Sequence, residues 1–179
     1  MRKALLVVDV QTGLCNGEWA AFDIEAVINR INLAIAQARV AGALVVFIQH
    51  EEDAGPLQVG SADWQLDPRL QANAADPRVR KTVANAFHRP DLLALLQSHG
   101  VQQVVVCGLQ SEFCVDSTVR GALAQGLAVT LLSDAHSTVA NGVLSAAQII
   151  AHHNATLPNL GGYGVGVTLA RAAESQLFV

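Results

Sequence analysis

Aromatic residues supply only 4% of this 179-residue chain, and charged residues only 15%. The core must therefore be built from Ala, Val, Leu and Ile, and an apolar content of 51% is enough for one sizeable core. Basic excess is also missing: 11 Lys and Arg stand against 15 Asp and Glu, a net charge of −4 spread along the chain without a basic stripe. That removes the electrostatic footing which nucleic acid or an anionic membrane requires. No apolar run approaches the roughly 20 residues of a membrane span; Ala4 to Val8 and Ala43 to Ile48 are among the longest. Arg2 and Lys3 precede an apolar stretch, but Asp9 interrupts it and no small-residue cleavage site follows, so it does not read as a signal peptide. The thiols Cys15, Cys107 and Cys114 form no CxxC or zinc-like spacing, and an odd number cannot all pair within one chain. The expectation is one cytoplasmic domain over residues 1–179 that works on a small molecule.

Dense apolar runs bounded by turn residues recur at Lys3 to Val10, Ala43 to Gln49, Gln103 to Cys107 and Ala128 to Ser133. They are too solid to alternate in and out, which predicts strands buried on both faces. Helical periodicity lies between them. Ile24, Val27, Ile28, Ile31, Ile35 and Ala38 share one face of a helix that Asp23 is placed to cap and Gly42 to end. Leu92, Leu93, Leu95 and Leu96 predict a shorter helix after Pro90, Phe113 to Gln125 a third, and Leu144 to Asn154 a fourth. Strand and helix in alternation imply crossover units, hence an α/β fold of three layers with a mainly parallel sheet. Glu51 to Arg80 is too long and too polar for an ordinary connection, and loops of that kind are functional or disordered.

In open parallel sheets ligands bind beyond the carboxyl ends of the strands. The residues placed there are Asp9-Val10-Gln11 and Gly108 to Cys114, with Arg80-Lys81-Thr82 before the short helix. Cys114 falls near a helix start, where unpaired N–H groups and the helix dipole favour thiolate; thiols in such settings titrate at roughly 3.5 to 7.5 against about 8.5 for a free cysteine. A carboxylate such as Asp9, following an apolar strand, is partly dehydrated and suited to take a proton from a thiol. Cys107, inside a strand, reads as a small buried hydrophobe. Gln11, Trp64 and Phe113 are the candidate substrate-binding side chains, and Phe87 is another possible apolar wall.

The order Asp9-Val10-Gln11, Lys81 with Ala86-Phe87, Gly108-Leu109-Gln110-Ser111-Glu112-Phe113-Cys114-Val115-Asp116, then Asp134-Ala135-His136-Ser137-Thr138, resembles the isochorismatase-like cysteine hydrolases from Asp9 to about Leu157. The segment around Cys114 is its most specific part. The resemblance implies a six-stranded sheet, a homodimer or homotetramer, and a catalytic triad of Asp9, Lys81 and Cys114. It also implies a cis peptide at Leu109-Gln110 and an oxyanion hole made by the backbone N–H groups of Gln110 and Cys114. The reaction it implies is cleavage of an amide-type C–N bond through an acyl-thioester on Cys114. Family members acting on isochorismate typically lack that cysteine. Nicotinamidases hold a metal through an Asp-x-His motif after the second strand, where this chain reads Gln49-His50-Glu51-Glu52-Asp53. No metal or other cofactor is therefore expected, although nicotinamidase-like or isochorismatase-like activity remains an alternative.

A rival from another class is a redox or electrophile-sensing protein that uses the same Cys114 thiolate without turnover. Asp134-Ala135-His136 reads as a turn after the fourth apolar run, with Asp134 or Ser137 as local cap. His152 and His153 are neighbours on a helix and point different ways, which disfavours a shared zinc ion. His50 reads as a hydrogen-bond partner for the long loop rather than for substrate. Gly161 to Gly166 departs from the dinucleotide fingerprint at Val167 and implies no cofactor.

Overall fold

Six segments pair in parallel in the computed structural model, which describes residues 1–179. The strands are β1 (Lys3–Val8), β2 (Leu44–His50), β3 (Arg78–Lys81), β4 (Gln103–Leu109), β5 (Ala128–Ser137) and β6 (Val167–Ala170), arranged β3-β2-β1-β4-β5-β6. The helices are α1 (Thr12–Cys15), α2 (Ile24–Val40), α3 (Pro90–Ser98), α4 (Asp116–Ala124) and α5 (Ala146–Thr156). Parity sorts the central strands between two cores, because successive side chains of a strand point to opposite faces. Leu6, Val8, Val46, Ile48, Val104 and Val106 pack with Leu92 and Leu96 of α3 and Val119 and Leu123 of α4. Leu5, Val7, Val45, Phe47, Val105 and Cys107 pack on the other face with Val27, Ile28, Ile31 and Ile35 of α2. A sheet covered on both sides explains why β1, β2 and β4 are apolar without alternation.

The two edge strands were not among the apolar runs. β3 alternates exposed Arg78 and Arg80 with buried Val79 and Lys81, so half of it reads as polar loop. β6 has only four residues, and Thr168 and Leu169 are exposed. β5, by contrast, runs on to Ser137: its register against β4 shifts between Val106 and Gly108, so that Gly108 pairs with His136. Asp134 and His136 thus lie in a strand rather than a turn. Asp23 stands at the N-cap of α2 in a left-handed conformation with φ 52° and makes no side-chain cap; its carboxylate faces Arg30 at 3.5 Å instead.

The long segment after β2 is ordered by the chain it covers. Thr12 N–H donates to Gln65 O at 2.9 Å, Gly13 N–H to Asp63 O at 2.9 Å and Asp67 N–H to Val10 O at 3.0 Å. Asp67 is buried. Burial alone would raise its pKa, but hydrogen bonds from Arg69 and Asn16 hold its carboxyl below the usual range. No helix is long and apolar enough to cross a membrane.

Candidate active site

The strand order reverses at β1, between β2 and β4, which opens a crevice beyond the carboxyl ends of the strands. Four side chains reach that crevice from four neighbouring strands. Asp9 follows β1 with φ 50°, a conformation that non-glycine residues rarely adopt, and its N–H donates to Ile48 O at 2.9 Å. His50 ends β2, and Lys81 ends β3 on its inward-facing register. Cys114 follows β4 on a π-helical turn, Ser111–Val115, that continues into α4. Such turns are rare and tend to occur at functional sites. Gly108 permits the close approach of β4 to its neighbour β1: a Cβ there would lie 2.1 Å from Val8 O.

Lys81 Nζ lies 2.6 Å from Asp9 Oδ2, 3.1 Å from Cys114 Sγ and 3.3 Å from His50 Nδ1. An ammonium has three protons, so each has an acceptor. Asp9 and Lys81 are 1% and 3% exposed, which makes this a buried, directional ion pair rather than a surface one. Asp9 Oδ1 is buried and without a hydrogen-bond partner, so a carboxylate lone pair is left over beside the sulfur. Donor atoms of Asp9, His50 and Cys114 lie within 4.8 Å of one another. These are the residues that could hold a metal ion, yet the ammonium already bonds all three and would repel a second cation.

Burial first and the neighbouring Asp9 second push the Cys114 thiol up to about 12, against the opposing pull of Lys81. The expected low-pKa thiolate is therefore corrected: a helix start does not outweigh a dehydrated sulfur beside a carboxylate. Cys114 rests as a thiol and needs a base at the moment of attack. Burial also raises Cys15 to about 12, with help from Asp67, and raises Cys107. His50 is lowered by burial and then by Lys81. With Nδ1 accepting from the ammonium, its proton belongs on Nε2, the network assigning the tautomer.

Asp9, His50, Gln110 and Cys114 line a cavity of about 210 Å³. Leu14, Pro56 and Leu57 give it apolar walls, and Glu52 is a further lining residue. The long segment after β2 thus supplies three of the lining residues. A wider cleft of about 400 Å³ near Met1, Gly42 and Val101 lies at the opposite end of the sheet and is lined by no cysteine, serine or threonine. The Leu109–Gln110 peptide is cis, and the Gln110 N–H donates to no backbone acceptor.

The substrate-binding candidates fare differently. Gln11 is fully buried: its Nε2 donates to His50 O at 2.9 Å and Trp64 O at 2.8 Å, and its Oε1 accepts from His50 N–H at 2.9 Å. It clamps the loop to β2 and does not line the cavity. Trp64 lies under the Arg80 guanidinium, 5.5 Å from its ring centre, and Phe113 is 54% exposed; neither lines the cavity. His50 and Glu52 do line it, and sequence reasoning passed over both as binding groups. The signal available for His50 was its position immediately after an apolar run.

A model of the isochorismatase domain matches residues 3–156. A streptothricin hydrolase of Streptomyces noursei is 40% identical over 137 residues, covering 76% of this chain and 50% of that protein. The chain thus spans about half the length of that curated relative. A ureidoacrylate amidohydrolase of Klebsiella variicola is 29% identical over 156 residues, 66% of each. A crystal structure of an isochorismatase family protein superposes with a TM-score of 0.85 at 38% identity, covering 94% of this chain and 97% of that one. With the domain matched over most of its length and the fold shared with a solved member, this chain belongs to the isochorismatase family.

Proposed function

We propose that this chain is a cysteine amidohydrolase that cleaves a C–N bond of a small molecule through an acyl-thioester on Cys114. The observation that carries the proposal is the Lys81 ammonium bonded to both Asp9 and Cys114 at the edge of a cavity. As sulfur attacks the acyl carbon, the Cys114 proton passes to Asp9, whose Oδ1 has an unused lone pair. Lys81, hydrogen-bonded to both groups, stabilises the single negative charge as it moves from the Asp9 carboxylate to the sulfur. The carbonyl oxygen becomes an oxyanion, for which the Gln110 N–H, free of a backbone acceptor and set in the cavity wall, and the Cys114 N–H are the donors. The C–N bond breaks, and the amine leaves with the proton that Asp9 returns. Water then gives a proton to Asp9 and attacks the thioester, releasing the carboxylic acid and restoring the thiol.

The redox-sensing alternative is the less favoured reading, since it calls for a thiolate at rest, whereas burial and then Asp9 raise the Cys114 thiol. The chemistry above needs the thiol ionised only while an acyl carbon is present. Ammonia release from a panel of amides, combined with intact mass of enzyme quenched during turnover, tests the mechanism. Wild type is expected to carry an acyl adduct that Cys114→Ala lacks, with turnover lowered about a thousandfold or more in the variant. Undiminished hydrolysis by Cys114→Ala would overturn the proposal.

A further inference from the structure

Glu51 and Glu52 are adjacent in sequence but differ in charge state of their surroundings. Glu51 is neutralised by Arg80. Glu52 has no cationic partner, and its carboxylate accepts one long hydrogen bond, from Leu57 N–H to Oε2 at 3.4 Å. The backbone curls around it: Glu52 N–H donates to Leu57 O at 3.1 Å, and Val59 N–H donates to Glu52 O at 3.3 Å. Gly55, at φ 113°, passes so near that a Cβ there would lie 2.7 Å from Oε2. The loop thus sets Glu52, an acid without a cationic partner, among the residues lining the cavity, beside Pro56 and Leu57.

The remaining charges at the cavity cancel. Asp9 and Lys81 form a pair, the Cys114 thiol is held up at about 12, and His50 is lowered by burial and Lys81, so sulfur and imidazole are both uncharged near neutrality. The resting cavity carries one net negative charge, and Glu52 is its source.

Resting on the amidohydrolase reading above, we propose that the cavity selects amides bearing a positive charge, an ammonium or guanidinium, and that Glu52 is the residue that recognises it. The same charge acts after the reaction. Hydrolysis turns a neutral acyl group into a carboxylate, which Glu52 repels, so that substrate is attracted and the acid product is expelled by one side chain.

The test uses three amides of matched shape ending in ammonium, hydroxyl or carboxylate. Ammonia release gives kcat/KM with wild type, Glu52→Gln and Glu52→Lys, and binding of the same three to Cys114→Ala is measured by calorimetry. Gln is a suitable control because its amide oxygen still accepts from Leu57 N–H. Wild type is expected to prefer the ammonium member over the hydroxyl member by about tenfold, and over the carboxylate by more. Added salt should shrink the preference. Glu52→Gln should level it and Glu52→Lys invert it. Tighter binding of the ammonium member to Cys114→Ala, lost on adding Glu52→Gln, would sustain the inference even if no member were hydrolysed, in which case the hydrolase reading alone would fall. Equal or undetectable binding across the three, or a preference that survives Glu52→Gln, would overturn it.

Discussion

Two histidines sit in polar networks at the carboxyl end of the same sheet, and their hydrogen bonds divide structure from chemistry. His136 is 1% exposed and closed on both sides: Nδ1 meets Ser111 Oγ at 2.7 Å and Nε2 meets Asn154 Oδ1 at 3.1 Å, while Asn154 Nδ2 donates to Ser133 O at 2.9 Å. Every polar atom of that ring has a partner. His50 is half-buried, with Nδ1 engaged by Lys81 and the other nitrogen free of any protein partner in a ring that lines the cavity. A saturated network ties elements together, in this case β5, α5 and the turn that carries Cys114. An unsaturated one retains capacity to bind something else.

The largest effect that would sharpen this contrast is on stability against pH. Burial lowers His136 from 6.5 to about 4, so the unfolded chain binds its proton more readily than the folded one between those values. Stability from this group is complete above about pH 6.5 and is lost as pH falls toward 4, by on the order of 3 kcal/mol in all. Urea unfolding of wild type and His136→Gln at several pH values isolates the contribution, because carboxylate effects are common to both. The wild-type slope below pH 6.5 should exceed that of the variant. Equal slopes would mean that His136 is not the closed structural group described here.

Next in size is the loss of His50 from the site. Removing it leaves Lys81 with two acceptors for three buried protons, and His50→Ala is expected to lower kcat/KM by about tenfold to a hundredfold. Thermal unfolding should shift by no more than about 2–4 °C, the equivalent of ~1 kcal/mol in a chain of this size. Protonating His50 would also place a second cation against Lys81, so the acid limb of the wild-type rate profile should flatten in His50→Gln. A large fall in melting temperature with an unaltered acid limb would assign His50 to the structural class instead.

The same distinction between closed and open groups sets how much was legible in the sequence. β1, β2 and β4 are covered on both faces and announce themselves as apolar runs, whereas β3 and β6, at the edges, bury only alternate residues and read as loop. Asp9 and Cys114 were found from their places after strands. Lys81 was not separable from other lysines without the family resemblance, because its burial follows from an edge strand that the pattern missed. The Cys114 pKa was misjudged for a related reason. A helix start is local and visible, but the burial that raises the thiol most, and the Asp9 carboxylate that adds to it, both arise through tertiary packing. Glu51 and Glu52 look alike in sequence, and only the position of Arg80 separates a neutralised acid from one without a cationic partner at the cavity.

The smallest expected effect concerns Phe113, next to the nucleophile and a candidate pocket wall by sequence. Its side chain is 54% exposed and does not line the cavity. Phe113→Ala should therefore change stability by no more than about 0.5 kcal/mol, and kcat/KM by less than about twofold. Steady-state kinetics at two protein concentrations would expose the alternative. If the variant lost activity tenfold or more, with a loss that depended on protein concentration, Phe113 would be closing the site from a second copy of the chain. The cavity described within one chain would then be incomplete, and an exposed aromatic in a sequence so poor in them would have been an interface residue.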